Sequence, residues 1–329
     1  MGSHTHLGIT RLVSQIGDMH LEIKPPITET ELNTLLAERF GAPASKLEPI
    51  KSGQMAKGFF FTVNDEDYVI RFTRANVAMG LYKDQYAYTH FASDKIPIPP
   101  VVSVEKFKDF TYAITRKMPG EILDHLSKED YLQLFPSLIE TLDAIHQIDV
   151  SQTTGYGSFK PDGNGLTASL AEHFLHVGEE EDERWFYGKW HTLFDTTFLE
   201  RELFRSVYQE MKNLLPYCAE ARFLVHADYG SDNALAKNGK ITAVLDWANA
   251  IYGDFLYDVA WLDMWSPELK INGRFKQYYQ KQGRNIPNYA ERFRCNQCYI
   301  ALDSFRFYAK IGNEEMYQWM KDRILGILE

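Results

Sequence analysis

The first regular pattern along the chain is helical. Leu32, Leu35 and Leu36 share one face between a Thr28/Glu31 pair at capping-box spacing and Gly41, which predicts a helix over Glu29–Phe40. The texture then switches to a period of two. Phe59, Phe61 and Val63 alternate with smaller or polar residues, a turn follows at Asn64-Asp65-Glu66-Asp67, and Tyr68, Ile70 and Phe72 resume the alternation. This is the pattern of an antiparallel hairpin. Leu81–Ala92 reads as a helix, Pro97 and Pro99–Pro100 break it, and two more strands follow near Val101–Val104 and Phe110–Thr115. The block from about 45 to 118 is therefore a small sheet with one inserted helix.

Past Pro119-Gly120 the pattern changes again. Leu132, Phe135, Leu138, Ile139, Leu142 and Ile145 recur at helical spacing, and Ser151–Gly165 is a glycine-bearing loop. More helix follows, interrupted near 221–247 by two short strand–loop units, and the tail from about Pro267 is helical. The sequence thus predicts an α+β chain with a hinge near residue 118: a small sheet-bearing lobe over 19–118 and a larger, mainly helical lobe over 119–329. Residues 1–18 lack the long apolar core of a secretion signal and read as a leader or vector-derived segment.

Length and composition narrow the function classes. At 329 residues and 45% hydrophobic, the chain can bury a large core, which excludes a disordered or fibrous protein. No apolar run reaches the ~20 residues of a membrane span, so no membrane partner is expected. The 35 basic and 45 acidic residues leave a charge of −10, which disfavours nucleic acid and suits a polycationic small molecule. Three cysteines cannot form a disulfide framework, and their scarcity fits a cytoplasmic protein. Cys295 and Cys298 have metal-site spacing, but their neighbours read as helix and no second pair of ligands follows.

The residues that carry chemistry cluster late. Phe223-Leu-Val runs into His226-Ala-Asp228, with Asn233 five residues beyond the aspartate; Ile241-Thr-Ala-Val-Leu then runs into Asp246-Trp247. Two neighbouring strands that each end in an acid would aim both carboxylates at one place. Phosphoryl transfer from a nucleotide needs such a place: one carboxylate accepts the proton of the attacking hydroxyl, while another carboxylate and an amide oxygen hold Mg²⁺ against the phosphates. On that logic Asp228 is the base, and Asn233 and Asp246 are the metal ligands.

The His-x-Asp-x4-Asn motif followed by Asp-Trp resembles the kinase-like aminoglycoside phosphotransferases. The likeness extends through Leu81-Tyr-Lys-Asp-Gln-Tyr, Ile96-Pro-Ile-Pro99, Asp149–Gly157 and Gly239–Trp247, from roughly 24 to 310. It implies a two-lobe protein-kinase-like fold that binds ATP, or GTP, with Mg²⁺. It further implies that Arg71 grips the nucleotide phosphates and pairs with Asp84 on the inserted helix, an arginine standing where most kinases have lysine. The loop Lys51–Gly58 departs from the glycine-rich pattern, leaving Ser52 and backbone N–H groups to meet phosphate; Thr115, Lys117 and Met118 fall at the hinge beside the base. By the same resemblance His226 braces the catalytic loop, while Asp254 and Asp258 anchor the metal strand. His146, on an apolar helix face, reads as a core histidine.

The acceptor implied is a cationic aminoglycoside, hygromycin B or a close aminocyclitol, phosphorylated by a monomeric resistance enzyme. Its amines need carboxylates and its ring faces need flat apolar surfaces, which Asp232, Asp263, Glu268, Trp261 and Trp265 would supply. Another acceptor on the same fold (a sugar, an amino alcohol or another antibiotic) is the alternative. A non-catalytic scaffold is disfavoured by the intact Asp228, Asn233 and Asp246 set.

Overall fold

A computed structural model describes residues 24–51, 56–183, 186–218, 222–230 and 232–329. Its elements form two compact units, one comprising the chain up to Thr141 with Gly230–Ala248, the other Leu142–Tyr229 with Asn249–Glu329. The sequence places a single cut near 118; packing divides the chain differently, because a later segment returns to pair with an earlier one.

The first unit opens with α1 (Glu29–Phe40), whose capping box forms as expected: the Thr28 side chain accepts from the Glu31 amide, and Glu31 accepts from the Thr28 amide at 2.9 Å. Gly41, at φ +65°, ends the helix in a left-handed turn that favours glycine. The sheet contains β1 (Ser45–Ile50), β2 (Lys57–Val63), β3 (Glu66–Arg74), β4 (Val101–Phe107) and β5 (Phe110–Arg116), in the order β1-β2-β3-β5-β4 with every pair antiparallel. The β2–β3 turn is tighter than the sequence suggests. Val63 pairs with Glu66, leaving only Asn64 and Asp65, both left-handed, as the loop. Leu32 and Leu36 of α1 pack on Phe59, Phe61, Ile70, Phe72 and Ile114, so the alternating face of the hairpin is the core face. The inserted helix α2 spans Met79–Phe91, with Leu81, Lys83, Asp84, Ala87 and Phe91 buried.

β6 (Glu121–Ile122) follows the sheet, and α3 (Lys128–His146) runs from the first unit into the second. The second unit carries β7 (Tyr156–Phe159), β8 (Gly165–Thr167), α4 (Leu170–Leu175), α5 (Leu193–Thr196), α6 (Arg201–Leu214) and β9 (Phe223–Val225). The chain then returns to the first unit as β10 (Ala234–Lys237) and β11 (Lys240–Val244); β10 pairs with both β11 and β6. It finishes in the second unit with β12 (Ile251–Gly253), α7 (Leu256–Trp265), α8 (Ile271–Lys281), α9 (Tyr289–Ile311) and α10 (Glu314–Leu328). β12 pairs with β7 and β9, and α9 is the central helix of this unit, burying Cys295, Cys298, Leu302 and Phe305 among others. The stretch 151–165, read from its glycines as loop, holds β7 and the start of β8, which pair with each other.

The cap of α1 is also an electrostatic feature. Lys108 at the β4–β5 turn binds Glu31, and this contact with the Thr28 bonds lowers the Glu31 carboxyl from 4.5 to about 2. A depressed folded pKa stabilises above the unfolded value and is lost on acidification. Glu31→Gln is therefore expected to lower Tm by about 1–3 °C at pH 7. In thermal unfolding, the difference from the parent should shrink as the pH falls from 4.5 toward 2.

Candidate active site

In the first unit the chemistry gathers where β3, α2 and the end of β11 meet. Arg71 pairs across β3 with Gly58 on one side and Ala113 on the other. Its Nη2 binds Asp84 Oδ2, and its Nη1 lies 3.9 Å from Asp246 Oδ2. Asp84 is nearly enclosed, and its Oδ1 accepts the Trp247 N–H at 2.8 Å. Burial pushes the Asp84 carboxyl up from its ordinary value, while Arg71 and the Trp247 amide oppose that push. Beside it, burial lowers the Lys83 ammonium to about 7.

Asp246 itself keeps 43% of its side chain exposed, on a left-handed backbone at φ +56°. For a residue other than glycine that backbone is strained and must be held by its surroundings. The Leu245 amide donates to the Asn233 carbonyl at 2.8 Å, and the Asn233 amide closes a turn on Gly230 at 2.7 Å. Asp232 beside it is exposed. At the end of β5, Thr115 is buried, Met118 is half-buried and Lys117 is exposed, its amide bonded to Asp67 O at 3.0 Å. Ser52 lies outside the described residues.

In the second unit the loop after β9 is pinned from below. His226 is fully buried, its amide and that of Ala227 donate to the two oxygens of Asp258 at 3.0 and 2.7 Å, and His146 Nε2 lies 2.9 Å from Asp258 Oδ2. Ala227, at φ +64°, is the left-handed residue this pinning sustains. Asp254 forms a two-pronged pair with Arg292 (2.7 and 2.8 Å) and also accepts the Leu256 amide at 3.0 Å. Asp228, next in the loop, is half-buried and accepts from Asn249 Nδ2 at 3.1 Å.

Burial raises the Tyr257 and Tyr308 phenols well above their ordinary value and the charge of Asp228 adds a smaller push, so both stay protonated. Tyr257 begins an aromatic run along one face of α7. It stacks toward Trp261 at 6.5 Å, Trp261 meets Trp265 at 5.5 Å, and Trp265 lies parallel to Trp319 at 5.2 Å. Asp263 is on another face of α7, where it accepts from the Asn272 amide at 3.1 Å and from Arg323 at 3.0 Å. Glu268 is exposed in the turn beyond the helix. Asp263 and the tryptophans therefore do not form one patch.

The reading of β9 and β11 as neighbouring strands is overturned: β9 pairs with β12 in one sheet, and β11 pairs with β10 in another. The backbone beside each acid is held by its own buried carboxylate, Asp258 for Asp228 and Asp84 for Asp246, not by a shared sheet. The sequence reading also passed over Asn249, although it lies only three residues past Asp246, and the Tyr257 and Tyr308 phenols, which carry no motif.

The profile of the phosphotransferase enzyme family matches residues 46–292. The chain belongs to that family. Among the curated relatives of this phosphotransferase is the hygromycin-B 4-O-kinase of Escherichia coli, 33% identical over 309 residues, covering 93% of this chain and 86% of that protein. Among solved structures, a thermostable mutant of aminoglycoside phosphotransferase APH(4)-Ia, in ternary complex with AMP-PNP and hygromycin B, superposes with a TM-score of 0.78 at 31% identity, covering 90% of this chain and 97% of that one. Spectinomycin phosphotransferase APH(9)-Ia, at 12% identity and TM-score 0.59 over 91% and 95% of the two chains, shares the fold. The expected kinase-like fold, with an antiparallel sheet early and helices late, is the fold of this phosphotransferase. Among the described residues no helix is long and apolar enough to cross a membrane.

The buried anchors make a stability test possible. Removing the Asp258 carboxylate strands two buried backbone donors and a histidine, so Asp258→Ala is expected to cost about 3 kcal/mol in urea unfolding. Asn249→Ala, at an exposed residue, should change stability by less than about 0.5 kcal/mol.

Proposed function

We propose that this phosphotransferase moves the γ-phosphoryl group of ATP to a hydroxyl of hygromycin B or a closely related aminocyclitol, as a cytoplasmic, monomeric resistance enzyme. The observation that carries the acceptor is the likeness to the hygromycin-B 4-O-kinase across 93% of the chain, joined to a ternary complex of similar fold that contains hygromycin B.

The residues take roles that suit their surroundings. Asp228, half-buried and oriented by Asn249, accepts the proton of the attacking hydroxyl. The Asn233 amide oxygen and the Asp246 carboxylate are a hard-oxygen pair that suits Mg²⁺, and the bond from the Leu245 amide to the Asn233 carbonyl ties their segments together. Bound there, the ion would offset charge on the nucleotide phosphates. Arg71, fixed by Asp84, grips the phosphates; Thr115, Lys117, Met118 and Ser52 complete the nucleotide lobe over 19–118. The remainder, 119–329, carries catalysis and the acceptor, with its segment Gly230–Ala248 packed into the same unit as the nucleotide lobe. Asp232 meets an acceptor amine and Trp261 and Trp265 meet its ring faces, with Glu268 at the rim. Asp263, engaged by Arg323 and the Asn272 amide, supports α7. GTP would fit the same lobe through its phosphates.

A coupled ADP-release assay with Mg²⁺ and ATP tests this across hygromycin B, spectinomycin, other aminoglycosides, choline and simple sugars. Release with hygromycin B, and much less with the rest, is the expected result. Release confined to another panel member would keep the phosphotransferase and overturn its acceptor.

A further inference from the structure

Lys83 and Asp84 are consecutive on α2, both are almost fully buried (1% and 5% exposed), and both end on the same short stretch of backbone. Asp84 Oδ1 accepts the Trp247 N–H at 2.8 Å, and Lys83 Nζ donates to the Ala248 carbonyl at 2.7 Å. Gly80 completes the contact: a Cβ there would come within 2.9 Å of Ala248 Cβ. Residues 80, 83 and 84 stand at i, i+3 and i+4, so one face of α2 is shaped to receive residues 247 and 248. The residue before them is Asp246, held at φ +56°.

Burying an ammonium group costs several kcal/mol before any partner offsets it, and a methionine of similar length would fill the same space without that cost. Packing alone does not account for a lysine here. We propose that Lys83 is a positioning residue that, with Asp84, clamps the backbone after Asp246 and so sets the direction in which the Asp246 carboxylate meets its cation. This rests on the reading of Asp246 as a metal ligand. Arg71 performs a different task, since it faces the Asp84 and Asp246 carboxylates and not the backbone at 247 and 248.

The clamp and a simple charge effect have opposite signs. Whatever positive charge Lys83 holds lies beside Asp84 and Asp246, so removing only that charge would leave Mg²⁺ binding unchanged or favoured, whereas releasing the clamp weakens Mg²⁺ binding. The test is calorimetric binding of AMP-PNP by the full chain over a range of Mg²⁺ concentrations and in chelator, for the parent, Lys83→Met, Lys83→Gln and Asp246→Asn. Lys83→Met is expected to raise the Mg²⁺ concentration for half-maximal enhancement of nucleotide affinity by about tenfold, leaving affinity in chelator within about twofold. Lys83→Gln, which retains an N–H donor, should raise it by about threefold. A folded Lys83→Met with an unchanged or lowered Mg²⁺ requirement overturns the proposal, and if that variant does not fold, the same result for Lys83→Gln does so. An altered Asp246→Asn beside unaltered Lys83 variants removes the clamp alone. A normal Mg²⁺ requirement in Asp246→Asn removes the metal reading and the clamp with it.

Discussion

A carboxylate taken out of water must be met by charge and by hydrogen bonds, and this protein uses that requirement to hold the loops that carry Asp228 and Asp246. Asp84, Asp254 and Asp258 are all but inaccessible, and each accepts at least one backbone amide while facing a basic side chain: Arg71, Arg292 and His146 respectively. Leaving any of these acids unpartnered would cost several kcal/mol, so the backbone segments they bind cannot easily move away. Two of those segments contain a residue with a side chain in the left-handed region, Ala227 and Asp246. The strain is tolerated because the buried acid fixes the adjoining peptide.

This arrangement separates two kinds of aspartate. The supporting acids are enclosed and saturated with donors, whereas Asp228 and Asp246 keep part of their surface open. An enclosed carboxylate saturated with donors has little capacity left for a substrate or an ion, and an open one on a fixed backbone has both capacity and direction. The aromatic run along α7 passes from buried at Tyr257 to half-buried at Trp261 and Trp265.

What could be read from the sequence was whatever local rules dictate. The Thr28/Glu31 box, the β2–β3 alternation and the α2 helix all emerge within one or two residues of expectation, because capping and periodicity act over a few neighbours. β1 escaped notice because it is an edge strand with mostly exposed side chains and a proline at 49, so it has no alternation to read. The Arg71–Asp84 pair was anticipated only through the family resemblance; nothing in the spacing of 71 and 84 requires it. Lys83, Asn249 and the different sheets of β9 and β11 depend on contacts between distant parts of the chain, which no short window encodes. Asp263 shows the converse error. An acid on a tryptophan-bearing helix looks like a ligand for amines until Arg323, sixty residues away, is seen to hold it.

The central claim is that Asp228 removes the proton from an aminoglycoside hydroxyl while the nucleotide is held elsewhere. It is tested most directly by single-turnover reaction of hygromycin B with Mg²⁺ and ATP, the antibiotic recovered and analysed by mass spectrometry, in the parent and in Asp228→Asn. Phosphorylated hygromycin B should form in the parent, and its rate should fall about a thousandfold in the variant while AMP-PNP affinity stays within about twofold. A variant that phosphorylates hygromycin B at nearly the parental rate would contradict the account.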